Sequence, residues 1–324
     1  MKRMLAEFKV GDEVLSFFMA QGPPETRENK WGKPYLCLAL QDSSGEVDGR
    51  VWDVPKDLDP KSIKQGSIVK VKGTMGEYQG KMQLSIVQVR LALESETPEI
   101  GDFLPRSERD PEEMLADLEK ILDELQDSDR WNSTLSALLV RIIQKNKDKL
   151  LLAPAAKSVH HAYIGGLLEH TLSMARLAVL VADHYRLNKH LLLAGVVLHD
   201  IGKLYELSYP VGFGFTVEGT LLGHISLGMD LVSKEFFLME QEGLVVDPKL
   251  KAAVLHLIAS HHGLMAYGSP RVPLMREAVA LNMIDGVDAK LAICDSAIKK
   301  GIDGAGLTSW VKELEGPLYA YDNI

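Results

Sequence analysis

The hydrophobic pattern changes its period once along the chain, and this change limits the fold more than any other feature. Up to Leu93 the apolar residues alternate with polar ones in short runs, as in "IVKVKGTM" and "KMQLSIVQV", a spacing typical of β-strands. From Asp110 onward they recur with helical spacing, first in "DPEEMLADLEKILDEL", whose Asp-Pro pair predicts a helix start. The chain has 324 residues, enough for two domains. We predict a multidomain protein with a small β-barrel followed by an all-α helical bundle.

The strand-rich part is assigned to residues 1–93. Five or so short strands in about 90 residues suit a closed barrel of the OB-fold type, with a β-sandwich as the main alternative. An acidic, proline-containing stretch at 94–109 is predicted to be a linker. Helices are expected within 110–324, after a first one that opens at Asp110, over about 131–152, 165–186, 189–203, 219–241, 248–261 and 273–300.

Composition and charge exclude several classes of protein. No apolar run reaches the roughly 18 residues that a membrane span needs, and the first residues do not resemble a signal peptide. The two cysteines, Cys37 and Cys294, lie in apolar contexts, which predicts reduced thiols in a cytoplasmic protein. The net charge of −9 argues against a general nucleic-acid binder. Residues 1–92, however, hold 14 Lys+Arg against 12 Asp+Glu, so this part could contact a polyanion.

The ten histidines all lie between residues 160 and 262, and several interrupt stretches of apolar or small residues. Two carboxylates have the same kind of setting. The seven candidates are His170, His199, Asp200, His224, His261, His262 and Asp285. As ordinary core residues they would each require a separate hydrogen-bond partner, whereas a pair of metal ions would satisfy them together. Imidazole and carboxylate ligands without thiolates favour Mn, Fe, Co or Ni over a structural zinc site.

The order His…His-Asp…His…His-His…Asp resembles the HD phosphohydrolase superfamily over roughly residues 150–300. The resemblance implies a helical bundle around two divalent metal ions, with manganese expected first. Its ligand sets follow residue by residue. One ion would take His170, His199, Asp200 and Asp285; the other would take Asp200, His224, His261 and His262, with Asp200 as the bridge.

Lys203 follows His199 by one helical turn. Together with Asp200 it is a candidate catalytic residue, because an ammonium group there could stabilise charge on a phosphoryl oxygen. The alternative role is that of a helix-end lysine facing the helix dipole. Bound divalent cations would also give an acidic domain the positive centre that a phosphodiester requires.

The whole chain, from about residue 5, resembles the bacterial YhaM-like 3′→5′ exoribonucleases. The motifs that carry this are "HHAYIGGLLEHTLSM", "LHDIGK", "HHGLMAYGSP" and "GPLY". The resemblance implies a manganese- or cobalt-supported exonuclease acting on single-stranded RNA, with single-stranded DNA left open. The related cyclic-dinucleotide hydrolases carry Gly-Tyr-Pro where this chain has Gly268, Ser269 and Pro270, which argues against that substrate.

Substrate contacts are the least constrained part of the prediction. OB-folds bind single strands by stacking bases on aromatic side chains, so the candidates in the barrel are Trp31, Tyr35, Trp52 and Tyr78, and His160 and His161 are candidates near the metal site. Each of these aromatics could instead belong to the core, and the two histidines could be local caps. Two further functions stay open. One is a hydrolase of a small nucleotide or cyclic dinucleotide with a regulatory barrel; the other is a non-catalytic nucleic-acid-binding protein. A homo-oligomer also stays open.

Overall fold

A computed structural model of the protein describes residues 3–55, 58–96, 100–125, 129–156, 163–208 and 214–321. The chain divides into two compact units, and the boundary that follows the strands lies between Arg106 and Ser107. This boundary falls inside the stretch expected to be a linker, 94–109. The exact domain limits, 1–93 and 110–324, stay predictions.

The first unit is a six-stranded sheet that closes on itself. Its strands are β1 (Glu13–Ala20), β2 (Glu25–Glu28), β3 (Pro34–Asp42), β4 (Gly45–Val51), β5 (Ile68–Tyr78) and β6 (Lys81–Leu91). The order is β1-β5-β6-β4-β3-β2, and β1 also pairs with β3, so β1, β3, β4, β5 and β6 form a barrel. Only the β4–β6 pair among these described pairings is parallel. The closed ring of these five strands confirms the prediction of a barrel rather than a sandwich, and β2 extends the sheet beside β3.

Alternation along the strands sorts the side chains between the barrel core and the surface. In β5, Val69 and Val71 are buried while Lys72 is exposed, because successive side chains of a strand point to opposite faces. The hairpin between β5 and β6 turns through Gln79 and Gly80, both with positive φ. Such a turn matches the right-handed twist of the paired strands.

The second unit is helical, as predicted. Its helices are α1 (Pro111–Asp123), α2 (Arg130–Leu152), α3 (Gly166–Tyr185), α4 (Lys189–Leu198), α5 (Lys203–Glu206), α6 (Val217–Gln241), α7 (Pro248–Ser260) and α8 (Arg276–Lys299). A short ribbon of β7 (Leu207–Ser208) and β8 (Gly214–Phe215) precedes α6. The Asp110 side chain accepts a hydrogen bond from the backbone N–H of Glu112, which confirms the predicted N-cap.

Helix α4 is the centre of this unit. Every residue from Leu191 to Leu198 is buried, and the helix packs against α2, α3, α7 and α8. The prediction of one continuous helix over 189–203 is wrong, because α4 ends at Leu198 and α5 begins only at Lys203. The apolar run therefore delivers His199 and Asp200 to a turn in the middle of the bundle.

None of the helices in the described ranges has both the length and the apolar character that crossing a bilayer demands.

Candidate metal centre and nucleic-acid interface

The seven side chains predicted as metal ligands lie together in the helical unit, although they come from distant parts of the sequence. They are contributed by α3 (His170), the turn after α4 (His199, Asp200), α6 (His224), the residues after α7 (His261, His262) and α8 (Asp285). Four of the seven are almost completely inaccessible to solvent: His170, His199, Asp200 and His261. Five helices therefore have to pack correctly before the cluster exists.

Asp200 lies between two groups of histidines and turns one carboxylate oxygen toward each. Its Oδ2 is 3.3 Å from Nε2 of His199 and 3.9 Å from Nε2 of His170. Its Oδ1 is 3.5 Å from Nε2 of His224 and 3.7 Å from Nε2 of His261. Asp285 joins the first group, with Oδ1 3.5 Å from Nε2 of His170. One carboxylate is thus shared by two sets of nitrogen donors.

Each group is compact enough to hold a metal ion. The ligand atoms of His170, His199 and Asp200 lie within 4.8 Å of one another, and those of His224, His261 and His262 do so as well. Three buried atoms, Asp200 Oδ1, His224 Nε2 and His261 Nε2, have no hydrogen-bond partner among the described residues. Buried polar atoms are rarely left without a partner, and a divalent cation would satisfy all three at once. The donor set is nitrogen and oxygen, which suits Mn, Fe, Co or Ni.

Two of the histidines are held by the ends of their own helices. Nδ1 of His199 lies 2.8 Å from the carbonyl oxygen of Val196, and Nδ1 of His261 lies 2.8 Å from that of Ile258. These carbonyls belong to the last turns of α4 and α7, where helix carbonyls lack an intrahelical partner. An N–H at Nδ1 leaves Nε2 as the nitrogen that carries a lone pair. The same local device therefore aims both rings at Asp200.

Two buried carboxylates that sequence reasoning missed hold two further rings. Oδ2 of Asp288 lies 2.6 Å from Nδ1 of His170, and Ser173 donates its hydroxyl proton to the other oxygen of Asp288. Glu206 accepts a hydrogen bond from the backbone N–H of His224 at 2.9 Å and lies 3.2 Å from its Nδ1. Carboxylates in these positions fix the orientation and tautomer of a metal-ligating histidine.

A break in α6 allows His224 to face Asp200. Gly223 has φ 71° and ψ 159° inside the helix, a conformation that favours glycine. On the other side, a Cβ added to Gly202 would lie 1.9 Å from the carbonyl oxygen of His224. The turn after Asp200 therefore passes against the α6 backbone at a distance that only glycine permits.

Charge in the cluster is distributed so that the central carboxylate is ionised. Burial opposes ionisation of Asp200, but Lys203 and His199 outweigh it and hold the pKa of Asp200 well below its usual range. Burial also lowers the pKa of His261 well below its usual range, so its ring is neutral and can donate a lone pair. Burial likewise disfavours protonation of His170, but its hydrogen bonds with Asp285 and Asp288 prevail and raise its pKa to about 9.

Lys203 lies at the edge of this cluster. Its Nζ donates to Oδ2 of Asp200 at 2.6 Å, and its side chain is largely buried. The ammonium group is therefore in direct contact with the shared carboxylate, and Lys203 is the first residue of the short helix α5. Its role in catalysis and its alternative role beside a helix dipole both stay predictions.

Ser269, in the segment Gly268–Pro270, supports the candidate ligand His262. The hydroxyl of Ser269, a buried residue, accepts a hydrogen bond from the backbone N–H of His262 at 3.1 Å. Ser269 thus anchors the turn that carries His262 beside His261.

The two histidines predicted to contact substrate, His160 and His161, lie outside the described residues.

The barrel brings two of its four candidate aromatics into contact. The rings of Tyr35 and Trp52 lie with their centroids 4.8 Å apart and tilted by 30°, because Leu36 and Val51 are partners in the β3–β4 register. Trp31, 77% exposed, lies in the turn between β2 and β3, with the Lys30 ammonium 4.3 Å from its ring centroid. Tyr78 is exposed at the end of β5, on a separate hairpin.

Comparison with known proteins assigns both units. Residues 167–290 match the family model described as HD domain, and residues 26–92 match the model described as OB-fold nucleic acid binding domain. An N-terminal sheet that matches an OB-fold is thus followed by a helical domain that matches the HD model. The HD domain indicates a metal-dependent phosphohydrolase, and the His and Asp groups described above could hold its metal.

Solved structures resemble parts of the chain distantly. The second OB-fold domain of replication protein A from Methanococcus maripaludis is 18% identical, covering 31% of this chain and 100% of that one, with a TM-score of 0.24. A chain of a replication protein A heterotrimer bound to single-stranded DNA is 18% identical over 29% of this chain and 66% of its own, with a TM-score of 0.21. A putative aspartyl-tRNA synthetase from Leishmania major Friedlin is 17% identical over 54% of this chain and 31% of its own, with a TM-score of 0.21.

Proposed function

We propose that this protein is a metal-dependent 3′→5′ exonuclease that shortens single-stranded RNA from its 3′ end and releases nucleoside 5′-monophosphates. The observation that carries the proposal is the sharing of Asp200 between two groups of histidines in a chain that also has an OB-fold. Two adjacent cation sites suit in-line displacement at a phosphodiester. The direction of shortening and the preference for RNA come from the resemblance to YhaM-like exoribonucleases.

The residues of the chain have distinct tasks in this proposal. His170, His199 and Asp285 would hold one ion, His224, His261 and His262 would hold the other, and Asp200 would serve both. When bound, divalent cations lower the pKa of water and stabilise negative charge on phosphoryl oxygens. Lys203, with its ammonium 2.6 Å from Asp200, would add positive charge beside the scissile phosphate.

The barrel supplies a surface on which a single strand can rest. Bases stack on aromatic rings with little regard to sequence. The Tyr35–Trp52 pair and the exposed Trp31 offer such rings. Arg27 and Arg50 lie on the strands that flank Tyr35. An exonuclease must accept any sequence, so stacking is better suited to it than base-specific hydrogen bonds.

The test is a 5′-labelled single-stranded oligoribonucleotide incubated with the protein and Mn²⁺. A ladder of labelled products that shortens from the 3′ end, with nucleoside 5′-monophosphates released, is the expected result. The His199→Ala variant should give no ladder because it lacks a buried ligand. Intact RNA with metal-loaded protein, or equal rates for the variant, would overturn the proposal. Faster hydrolysis of a cyclic dinucleotide than of the oligomer would favour the small-nucleotide alternative.

A further inference from the structure

A groove adjoins the metal centre within the helical unit. It has a volume of about 1020 Å³, at the upper end of the roughly 300–1,000 Å³ range of ligand pockets. One wall is formed by the segment after His262, including Leu264, and the other by one face of α8. His262 and Asp285, one from each group of candidate ligands, both line it. The groove is therefore continuous with the place where the two ions would bind.

The walls of the groove are mainly apolar and open to solvent. Leu264 is 54% exposed and Met283 is 61% exposed. A contiguous patch of exposed apolar side chains often marks a binding site, whereas single exposed apolar residues do not. Lys290, exposed on the same face of α8, brings positive charge to the groove. An apolar trough with a cation suits a ligand that has flat apolar faces and negative charge.

Gly286 keeps the groove open beside Asp285. It lies within α8, where glycine is less favourable than alanine. Its φ is not positive, and a Cβ added there would meet no described atom within 4 Å. Neither backbone conformation nor packing among the described residues requires glycine here. The missing side chain leaves room for a ligand against the helix, next to a candidate metal ligand.

We infer that this groove binds the 3′-terminal nucleoside of the strand, with its base and sugar against Leu264, Met283 and the backbone at Gly286. The inference rests on the proposed function. When the scissile phosphodiester lies at the metal centre, the nucleoside being released has to occupy a surface that adjoins it, and the groove is such a surface. All four bases present apolar faces, so an apolar trough accepts any of them.

The test uses the full-length Gly286→Leu variant with Mn²⁺. Leucine favours a helix, and its Cβ would meet no atom of the described residues within 4 Å. Thermal stability and bound metal should therefore match the wild type while the groove is filled. Two 5′-labelled oligoribonucleotides are compared, one ordinary and one with an abasic 3′-terminal residue. Stacking of about 1–3 kcal/mol predicts that wild-type kcat/KM is roughly 5- to 150-fold higher for the ordinary strand. In the variant this preference should fall to about twofold or less, because kcat/KM falls for the ordinary strand and not for the abasic one.

The matched control is Ala252→Leu, a substitution to the same residue at an exposed position of α7 outside the groove. It should keep the wild-type preference. Leu264→Ser, on the opposite wall, gives an independent reading of the same preference if Gly286→Leu does not fold. The inference is overturned if metal-loaded Gly286→Leu, or Leu264→Ser in its place, retains the full preference for the terminal base. Failure of the wild type to cleave either strand would instead refute the proposed function.

Discussion

Asp288 decides which nitrogen of His170 is available to a metal. Its carboxylate lies 2.6 Å from Nδ1 of that ring, while Nε2 faces Asp200 and Asp285. The Asp288→Asn variant keeps the size of the side chain and removes the charge. We expect its affinity for Mn²⁺ to fall by about 10- to 100-fold, measured by calorimetric titration of the metal-free protein. An exposed acid on the same helix supplies the control, Asp295→Asn, for which the affinity should not change.

Glu206 has the corresponding role at the second group, through its contacts with the backbone and ring of His224. The Glu206→Gln variant should therefore bind one of its two ions more weakly and keep close to wild-type affinity for the other. Metal analysis after dialysis against graded Mn²⁺ concentrations would show a loss in two steps: half of the bound metal leaves at a higher free Mn²⁺ concentration than the other half. Glu218→Gln, at an exposed position near the start of α6, is the control. Simultaneous loss of all metal, or none, would contradict the assignment.

The ligand candidates and their supports differ in how well the sequence reveals them. His199 and His261 are recognisable because each ends a long apolar stretch, where a buried polar ring requires a hydrogen-bond or metal partner. Asp288, three residues after Asp285 in "DGVDAK", has no such setting. A helical phase argument was available, since residues three apart lie on the same face, but the partner of Asp288 comes from another helix. Contacts that depend on the packing of α3 against α8 are not encoded by local spacing.

The passage from α4 to α5 depends on the close approach of two backbones. A Cβ on Gly202 would lie 1.9 Å from the carbonyl oxygen of His224 and 2.6 Å from the backbone nitrogen of Gly228. The Gly202→Ala variant must separate these segments, so we expect a loss of about 2–4 kcal/mol in the free energy of unfolding and a weaker metal site. Urea unfolding measures the first and metal titration the second. Gly304→Ala, where a Cβ meets nothing within 4 Å, should unfold like the wild type.

This junction also explains where the helix prediction was wrong. A continuous helix over 189–203 was expected because the span has no proline, although it contains Gly195 and Gly202. The helix stops because the His199 ring binds the carbonyl of Val196 and the chain must turn to meet α6. Helix termini that are set by a functional side chain and a tertiary contact leave little local signal. By contrast, the start of α1 was predictable because its cap, Asp110, is local.

Helices α2 and α6 are joined by an ion-pair cluster around Glu235. This buried carboxylate accepts hydrogen bonds from Lys145 at 2.7 Å and from Arg141. Burial opposes ionisation, but Lys145 and Arg141 prevail and hold the pKa of Glu235 below its usual range. A lowered folded-state pKa gives stability that is complete above the unfolded value of about 4.3 and is lost as the pH falls toward the folded value.

Glu235→Gln should therefore lower the free energy of unfolding at pH 7 by about 1–3 kcal/mol. The gap between variant and wild type should narrow as the pH falls below about 4.3, because the carboxylate of the unfolded wild type then takes up a proton while the folded one still resists it. Denaturant unfolding across this pH range measures both effects. The exposed Glu218→Gln should follow the wild-type curve throughout. A gap that is independent of pH would mean that the lost stability is not due to the charge of Glu235.

The two units of the molecule were distinguishable in the sequence because they differ in both periodicity and charge. The strand-rich part has more basic than acidic residues, while the remainder is strongly acidic. Barrel closure was only one of two alternatives, since alternating strands serve a sandwich equally well. What selects the barrel is the pairing of β1 with β3 and the parallel pairing of β4 with β6. Such long-range pairings are invisible to local pattern.

The division of labour between an OB-fold and an HD domain gives a prediction for the whole chain. Trp52, 43% exposed, and Tyr35 form the contacting aromatic pair on the barrel. Replacing both with alanine should weaken binding of a long single-stranded oligoribonucleotide by about 1–3 kcal/mol per stacked base lost. Turnover of a dinucleotide should stay at the wild-type rate, because the candidate metal ligands all lie in the helical unit. Fluorescence anisotropy measures the first and product release the second.

Trp310→Ala is the control for these barrel variants, since Trp310 is equally a tryptophan and is 70% exposed in the helical unit. It should leave oligonucleotide affinity unchanged. If the barrel variants bind the long strand as tightly as the wild type, the strand does not stack on this pair and the role of the OB-fold must lie elsewhere. If instead they lose dinucleotide turnover as well, the aromatic pair affects the HD domain itself. The combination of weaker binding with intact turnover is the result that a separate binding barrel requires.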